Sequence, residues 1–532
     1  MTVTIARGRA RPTAVSAFAA VSSAARSTHR VALLLVTALY AACASEEPEE
    51  PGGPPVFTLA QEGLFETPRA LTNAIADFDG DQDLDLFVGF NGLPNRLYRN
   101  DGGTFVDVAQ SVGLADSQVT RSAAWGDFDN DGFVDLFVAF ASGDVSSNKL
   151  YRNDGGRRFV DVTMETGVGT TGSFRQVSWI DFDNDNDLDL FIGMRDRANA
   201  LYRNDDGQFH DMAAALGVGD ERRTVGAAWF DFDRDGDLDL VVANMDGDAN
   251  GIFRNDGRSF VDVASDLGLA DGGRALNDPA SGSVRPTLDD FDNDGRIDIL
   301  WANYGPTGLS VTRDGATFTN AAQAAGIAID SRYDAGTWGD YDNDGRLDLY
   351  INGTVTGGQS YRDYLFHNEG DRLVDLTPSI IRDQEADHGA HWADFDGDGD
   401  LDLALTGATP EGMHYLLWNG LDAERAGRSL QVAVVDDQGH YTRAGAEVRI
   451  YEAGTDRLLG TRIVDTGSGY NSQNAMPVHF GLGAVETVDV EVTTFTASGR
   501  ATARRTGVDR ADYAGTWLIL RVNAEGQLVD EG

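Results

Sequence analysis

The 532-residue chain has one cysteine, Cys43, so no disulfide framework can staple it. The apolar run VALLLVTALYAA, just before that cysteine, is twelve residues long, short of the roughly 20 that a bilayer-spanning helix needs. Basic residues are scarce: 42 Lys and Arg stand against 86 Asp and Glu, for a formal net charge of −44. So acidic a surface disfavours nucleic acid and anionic membrane as direct ligands, and it also fits solubility in high salt. GxSxG, HExxH and paired-cysteine motifs are missing, which removes the usual signatures of acyl transfer, zinc hydrolysis and thiol redox chemistry.

What the chain has in abundance is one Asp-rich loop, written seven times in register. The copies start at residues 77, 127, 181, 231, 290, 340 and 394, spaced by 50, 54, 50, 59, 50 and 54 residues, the mark of a structural repeat. Positions 1, 3, 5 and 9 are Asp in every copy. They are Asp77, Asp79, Asp81 and Asp85; Asp127, Asp129, Asp131 and Asp135; Asp181, Asp183, Asp185 and Asp189; and Asp231, Asp233, Asp235 and Asp239. Then come Asp290, Asp292, Asp294 and Asp298; Asp340, Asp342, Asp344 and Asp348; and Asp394, Asp396, Asp398 and Asp402.

Carboxylates at positions 1, 3 and 5 of a tight turn point at one centre, and position 9 closes the shell, a hard-oxygen cage suited to Ca²⁺ more than to Mg²⁺. Position 6 must turn with φ > 0. It is Gly in five copies, Asn186 in another, and Gln82 in the first. Ordinary turns also use Asp-Gly, but four carboxylates in one turn repel by about 1 to 4 kcal/mol per close pair, which a plain turn would not accept seven times. An EF-hand needs Glu at position 12, where the first two loops have Val88 and Val138, so the site is a hairpin loop.

Around each loop, four short apolar strands per repeat of about fifty residues predict a β-propeller blade. The fold class expected is all-β: a seven-bladed β-propeller over residues 57–420, with a small C-terminal antiparallel β domain over 428–525. The array begins on an orphan strand, Phe57 to Ala60, and ends on another, Leu416 to Asn419, so the first is expected to complete the last blade and leave no open edge.

These Asp-x-Asp-x-Asp-Gly loops resemble the FG-GAP or VCBS repeats of integrin-α-like propellers. The resemblance implies that each loop joins the first two strands of a blade on the face opposite the ligand-binding loops, and that about seven Ca²⁺ are structural. Downstream, RAGAEVRIYEAG from Arg443, Gly467 to Gln473 and HFGLG from His479 to Gly483 resemble the ASPIC and UnbV domain of the cartilage acidic protein-like family.

Residues 1–43 read as a signal peptide. YAAC resembles a lipobox with Tyr40 in place of Leu, so Cys43 is a candidate lipidation site, and cleavage after Ala44 is the other reading. Residues 44–56 form an acidic, Pro-rich tether. Two functions remain. One is an exported, monomeric binding scaffold at the cell surface or in the periplasm, holding a protein or glycan and touching membrane only through a lipid. The other is an enzyme acting on polysaccharide in the axial channel. Arg121, Arg175, Arg285, Arg332 and His388 are candidates to line the upper mouth of that channel. His388 and His391, with Asp387, are the one acid-base grouping, and a blade-specific loop surface is the plainer reading.

Overall fold

Each Asp loop folds one strand back on the next, and two further strands complete an antiparallel sheet. The computed structural model describes residues 55–529 apart from 142–146, 316, 357–358, 371, 383–387, 408–412, 465–466, 468–472 and 474–475. The leader, Cys43 and most of the tether lie outside the described residues. In the first sheet, strands Ala70–Ala76, Asp85–Phe90, Arg96–Asn100 and Phe105–Asp107 pair in that order. The pattern recurs from the first strands Thr120–Gly126, Phe174–Ile180, Thr224–Phe230, Gly282–Asp289 and Asp330–Gly339. The fifth and sixth sheets also join directly, Tyr304 opposite Arg332.

The seventh sheet has three strands of its own, Ala390–Ala393, Asp402–Leu405 and Tyr415–Asn419. Its fourth is the N-terminal strand Phe57–Leu59, with Phe57 opposite Asn419. This sheet then meets the first: the Asn100 side-chain amide donates to the Phe395 carbonyl at 2.7 Å, and Tyr98 Oη lies 2.8 Å from His414 Nε2. The sheets therefore close into a ring, as a propeller requires.

Aromatic residues fill the seams between sheets. Trp179 stacks on Phe128 of the preceding sheet and Trp392 on Tyr341, with ring centroids 6.4 Å apart in each case. Gly126 and Gly339 make room for these rings, since a Cβ would sit 2.5 Å from Trp179 and 2.6 Å from Trp392.

Two features depart from the strand pattern read in the sequence. The outer strand of the first sheet ends at Asp107, because Asp107 Oδ1 accepts the Ala109 N–H at 3.1 Å and starts a helical turn, Ala109–Val112. Gly113 at φ 93° stops that turn, and Gly167, Gly217 and Gly326 stop its counterparts. The C-terminal domain is also not wholly antiparallel. One sheet, Leu458–Ile463, Glu447–Glu452, Thr487–Thr496 and Gly499–Asp509, is antiparallel. In the other, Ser429–Asp436 pairs antiparallel with Val478–Gly481 but parallel with Leu518–Val522. Short polar-apolar alternation looks the same in either direction, so the sequence could not distinguish them.

Deleting Phe57 to Ala60 should leave the Tyr415–Asn419 edge unpaired and promote association. Light scattering and thermal melts check this: a truncated chain that stays monomeric with an unchanged Tm would show that the N-terminal strand does not close the ring.

Candidate metal centres

All seven loops share one hydrogen-bond plan. The N–H at position 6 donates to Oδ2 of the first Asp, for example Gly132 to Asp127 at 2.9 Å and Gly345 to Asp340 at 2.7 Å. The N–H at position 7 donates to the Asp at position 5, as Phe133 does to Asp131. Position 6 has positive φ throughout, including Gln82 at 71° and Asn186 at 76°. Position 4 is left-handed as well, at Asn130, Asn184, Arg234, Asn293 and Asn343 and at Gly80 and Gly397. The reason lies in the neighbouring loop. Asn184 Nδ2 donates to the Gly236 carbonyl, Asn293 Nδ2 to Gly345 and Asn343 Nδ2 to Gly399, while Arg234 Nη2 reaches Gly295 at 2.7 Å.

The Asp at position 9 is the most buried of the four. Asp135 Oδ1 accepts the Asn153 N–H at 2.8 Å, and its Oδ2 accepts the Phe128 N–H at 3.1 Å. The Asn153 amide then donates to Val134 in its own sheet and to the Phe78 carbonyl in the preceding one. Asn100, Asn204, Asn255, Asn368 and Asn419 make the same bridge. In the fifth sheet Thr312 takes this place: its N–H still donates to Asp298, but it carries no amide to reach across.

In the first four loops the carboxylates at positions 1, 3 and 9 bring an oxygen each within 4.8 Å of the others: Asp77, Asp79 and Asp85; Asp127, Asp129 and Asp135; Asp181, Asp183 and Asp189; Asp231, Asp233 and Asp239. In the sixth loop Asp342 and Asp348 form such a group with His367. In these five groups the third Asp of the turn, at position 5, is not one of the three; its Oδ1 accepts the N–H of position 7. The residues fit a hard cation: Oδ1 of Asp79, Asp292 and Asp342 is buried with no hydrogen-bond partner among the described residues. Burial pushes Asp85 and Asp239 up to about 9 and Asp127, Asp181 and Asp394 up to about 7, and neighbouring carboxylates add to the rise. A divalent ion would hold these groups ionised instead.

The C-terminal domain packs on the face that bears the loops. Arg500 Nη1 donates to Asp231 Oδ2 at 2.6 Å, and its Nη2 donates to Glu447 Oε2 at 2.8 Å. Gln431 Nε2 donates to Asp394 Oδ2 at 2.8 Å, and Arg443 Nη1 to Asn186 Oδ1 at 2.6 Å. The Gly483 N–H donates to the Asn343 carbonyl, and Thr516 Oγ1 donates to Gln82 Oε1. His440 packs against Gly132 and Leu458 against Gly295, so every loop meets this domain. Gln473 reaches further, to the first strands that surround the ring's axis. Its Nε2 donates to the Trp125 carbonyl at 3.0 Å, its Oε1 accepts the Trp125 N–H at 2.5 Å, and its N–H donates to the Asn73 carbonyl. The Gly467 carbonyl accepts from Ser178 Oγ at 3.3 Å, and a Cβ there would collide with the Val177 carbonyl. No sequence signal marks these contacts, because they join residues hundreds of positions apart.

At the other end of the first strands, six sheets carry a β-bulge, whose extra residue is Arg121 in the second, Arg175 in the third and Asp334 in the sixth. Arg285 is fully buried and does not line an open mouth, a correction that follows from its strand pressing on Gly226. Arg332 lies 5.0 Å over the Tyr304 ring. His388 Nδ1 is 3.1 Å from Asp334 Oδ2, while Asp334 Oδ1 accepts from Tyr304 Oη at 2.9 Å. His391 is fully buried, and Asp387 lies outside the described residues.

Repeated four-stranded sheets, each hinged on an Asp loop, define a class, and the family models agree with it. FG-GAP-like repeat matches residues 77–138, 134–192, 181–242, 290–351 and 354–405, together more than half of the chain, and ASPIC and UnbV matches 437–493. The chain belongs to the FG-GAP-like repeat family. Among curated proteins it is similar to cartilage acidic protein 1, at 29% identity over 254 residues in Mus musculus and 30% over 255 in Homo sapiens. The match covers 46% of this chain and 38% and 37% of those relatives, so the chain spans less than two-fifths of their length. Among solved structures it resembles an Agrocybe aegerita lectin that recognises non-reducing terminal N-acetylglucosamine, with TM-score 0.39, 17% identity, and coverage of 60% of this chain and 83% of the lectin. It also resembles BBS1N in complex with ARL6DN, with TM-score 0.40, 11% identity, and coverage of 67% and 93%.

Two outcomes follow from these contacts. In metal-free protein the folded carboxylates keep protons to about pH 7 to 9, whereas the unfolded chain releases them near 3.8. The folded state binds more protons in that window, so stability is full below about pH 4 and falls as pH rises toward 9. Thermal melts of dialysed, metal-free protein at pH 5 and pH 8 should give the lower Tm at pH 8. Gln473→Ala should strand the buried Trp125 N–H and carbonyl, costing on the order of 1–3 kcal/mol in a denaturant melt.

Proposed function

We propose that the chain is an exported, calcium-stabilised binding scaffold without catalytic activity, holding a protein or glycan on the propeller face opposite the Asp loops. One observation carries this reading: the chain's own C-terminal domain packs against all seven loops. Cations there stiffen the fold and its docking, and recognition falls to the loops at the other end of the strands, near Gly89, Ala243 and Asn352. Ca²⁺ suits the loops better than Mg²⁺ because the donors are several carboxylates in one turn. The acidic surface turns away nucleic acid, and the membrane is reached only through a lipid on Cys43, by which the protein is held at a cell surface or in the periplasm. Among the described residues no helix is long and apolar enough to cross a membrane.

Metal analysis after dialysis at millimolar Ca²⁺ should give about seven ions per chain, the first loop weakest because Gln82 is strained. A site filled at ten times its dissociation constant contributes about 1.4 kcal/mol, so the set contributes on the order of 10 kcal/mol. Chelation should lower Tm steeply, and Asp235→Asn should remove about a seventh of that effect while leaving ligand capture intact. Two or fewer ions would sink the reading. Capture of cell-wall glycans or secreted proteins by the purified chain tests the binding role, and turnover of a captured polysaccharide would move the assignment to an enzyme.

A further inference from the structure

The sixth loop has the four aspartates of the others and one donor more. The residue before the bridging amide of the third strand is Arg99, Arg152, Arg203 and Arg254 in the first four sheets, Val311 in the fifth and Trp418 in the seventh. In the sixth it is His367, whose side chain is only 6% exposed. Its Nδ1 lies 3.1 Å from Asp348 Oδ1 and 3.8 Å from Asp342 Oδ2. Asp348 is fully buried, and its Oδ1 and Oδ2 also accept the N–H groups of Asn368 and Tyr341. Asp342 Oδ2 is met by Arg425 at 3.3 Å, while its Oδ1 is buried and has no hydrogen-bond partner among the described residues. The imidazole packs edge-on to Tyr341, with centroids 6.2 Å apart. A buried imidazole nitrogen and two carboxylates, one of them with an unpartnered oxygen, thus come within 4.8 Å of one another where the first four loops bring oxygens only.

Ca²⁺ takes oxygen donors, whereas a set of one imidazole and two carboxylates suits the divalent ions of the later first-row metals and zinc. The geometry points to a second kind of metal site: His367, Asp342 and Asp348 bind one transition-type divalent cation of the Zn²⁺ or Co²⁺ class, in preference to the Ca²⁺ of the other loops. This inference extends the cation reading of the loops to a different ion at one of them. The site sits under Arg425 and beside Asn343, which bonds to the C-terminal domain's Gly483 N–H, so its ion would anchor that docking contact.

The test uses the full chain, stripped of metal and then held in millimolar Ca²⁺ while Co²⁺ or Zn²⁺ is titrated. One equivalent of Co²⁺ should give visible bands of an imidazole-ligated ion that Ca²⁺ does not displace and Zn²⁺ does. His367→Arg, the residue of the first four sheets, should abolish the bands and weaken Zn²⁺ binding at least about tenfold, with the Ca²⁺ stoichiometry of the other loops unchanged. Should that variant fail to fold, X-ray absorption of the Zn²⁺-loaded wild type reads the imidazole directly. No imidazole in that shell, or Zn²⁺ binding indifferent to His367→Arg, overturns the proposal. Calcium in all seven loops with no tight Zn²⁺ site would overturn it and leave the scaffold reading standing. A tight, His367-dependent Zn²⁺ site in a chain that takes up no Ca²⁺ would do the reverse.

Discussion

The carboxylate at position 9 is the point from which the ring is built. It is buried, and in every loop but the fifth it takes the N–H of position 2 with one oxygen and with the other the N–H of the asparagine that bridges to the preceding sheet. One charged group thereby fixes the start of the Asp loop, the register of the third strand and the seam to the next unit. A carboxylate with that many donors is well held, yet burial alone drives it toward the neutral form. The same residue that organises the sheet therefore creates a demand for positive charge inside it.

The structure answers that demand unevenly. Arg500 brings a guanidinium from the C-terminal domain to the fourth loop. Arg313 forks across Asp292 and Asp294 in the fifth, bonding to an oxygen of each and leaving Asp292 Oδ1 open. The sixth has His367, and among the described residues no ion pair meets the first Asp of the first three loops. Repetition has thus been relaxed at the side chains while the backbone plan stays the same. Docking of the C-terminal domain follows from this charge pattern, since its Arg500 and Gln431 end on first-position carboxylates. Two consequences meet on that face: it is shared with the C-terminal domain, and its stability depends on what neutralises the loops.

Much of this was legible in the residues. Four invariant aspartates at fixed spacing gave the loops, and strand-length apolar runs gave the sheets and the closing role of Phe57. Other features were written in signals that the strand pattern masked: Gly113, Gly167, Gly217 and Gly326 end helical turns, and Asn at position 4 is a common left-handed residue with a partner in the next loop. Position 5 was expected among the cage oxygens, and the fold gives it a further task that its type did not announce: Oδ1 of Asp131 and its counterparts accepts the N–H of position 7. Arg285 looked like a mouth residue from its place ahead of the Asp loop, as in Arg121 and Arg175, whereas burial is decided by the packing of the adjacent first strand. The contacts of Gln473, Arg500 and Gln431 had no local trace at all, since they depend on where a separate domain comes to rest.

The pairing of Phe57 with Asn419 sets an order of events. The two partners are roughly 360 residues apart, so contact between them is the most non-local in the ring and is costly to reach early. At about 5–20 residues per second of synthesis, the first strand waits tens of seconds for the strand it will pair with. During that interval the early sheets can assemble one on another, but the ring stays open and the edge of the nascent array is unprotected. The strand Phe57–Leu59 therefore acts as the ring's latch, and the propeller reaches its final stability only once the seventh sheet has been made.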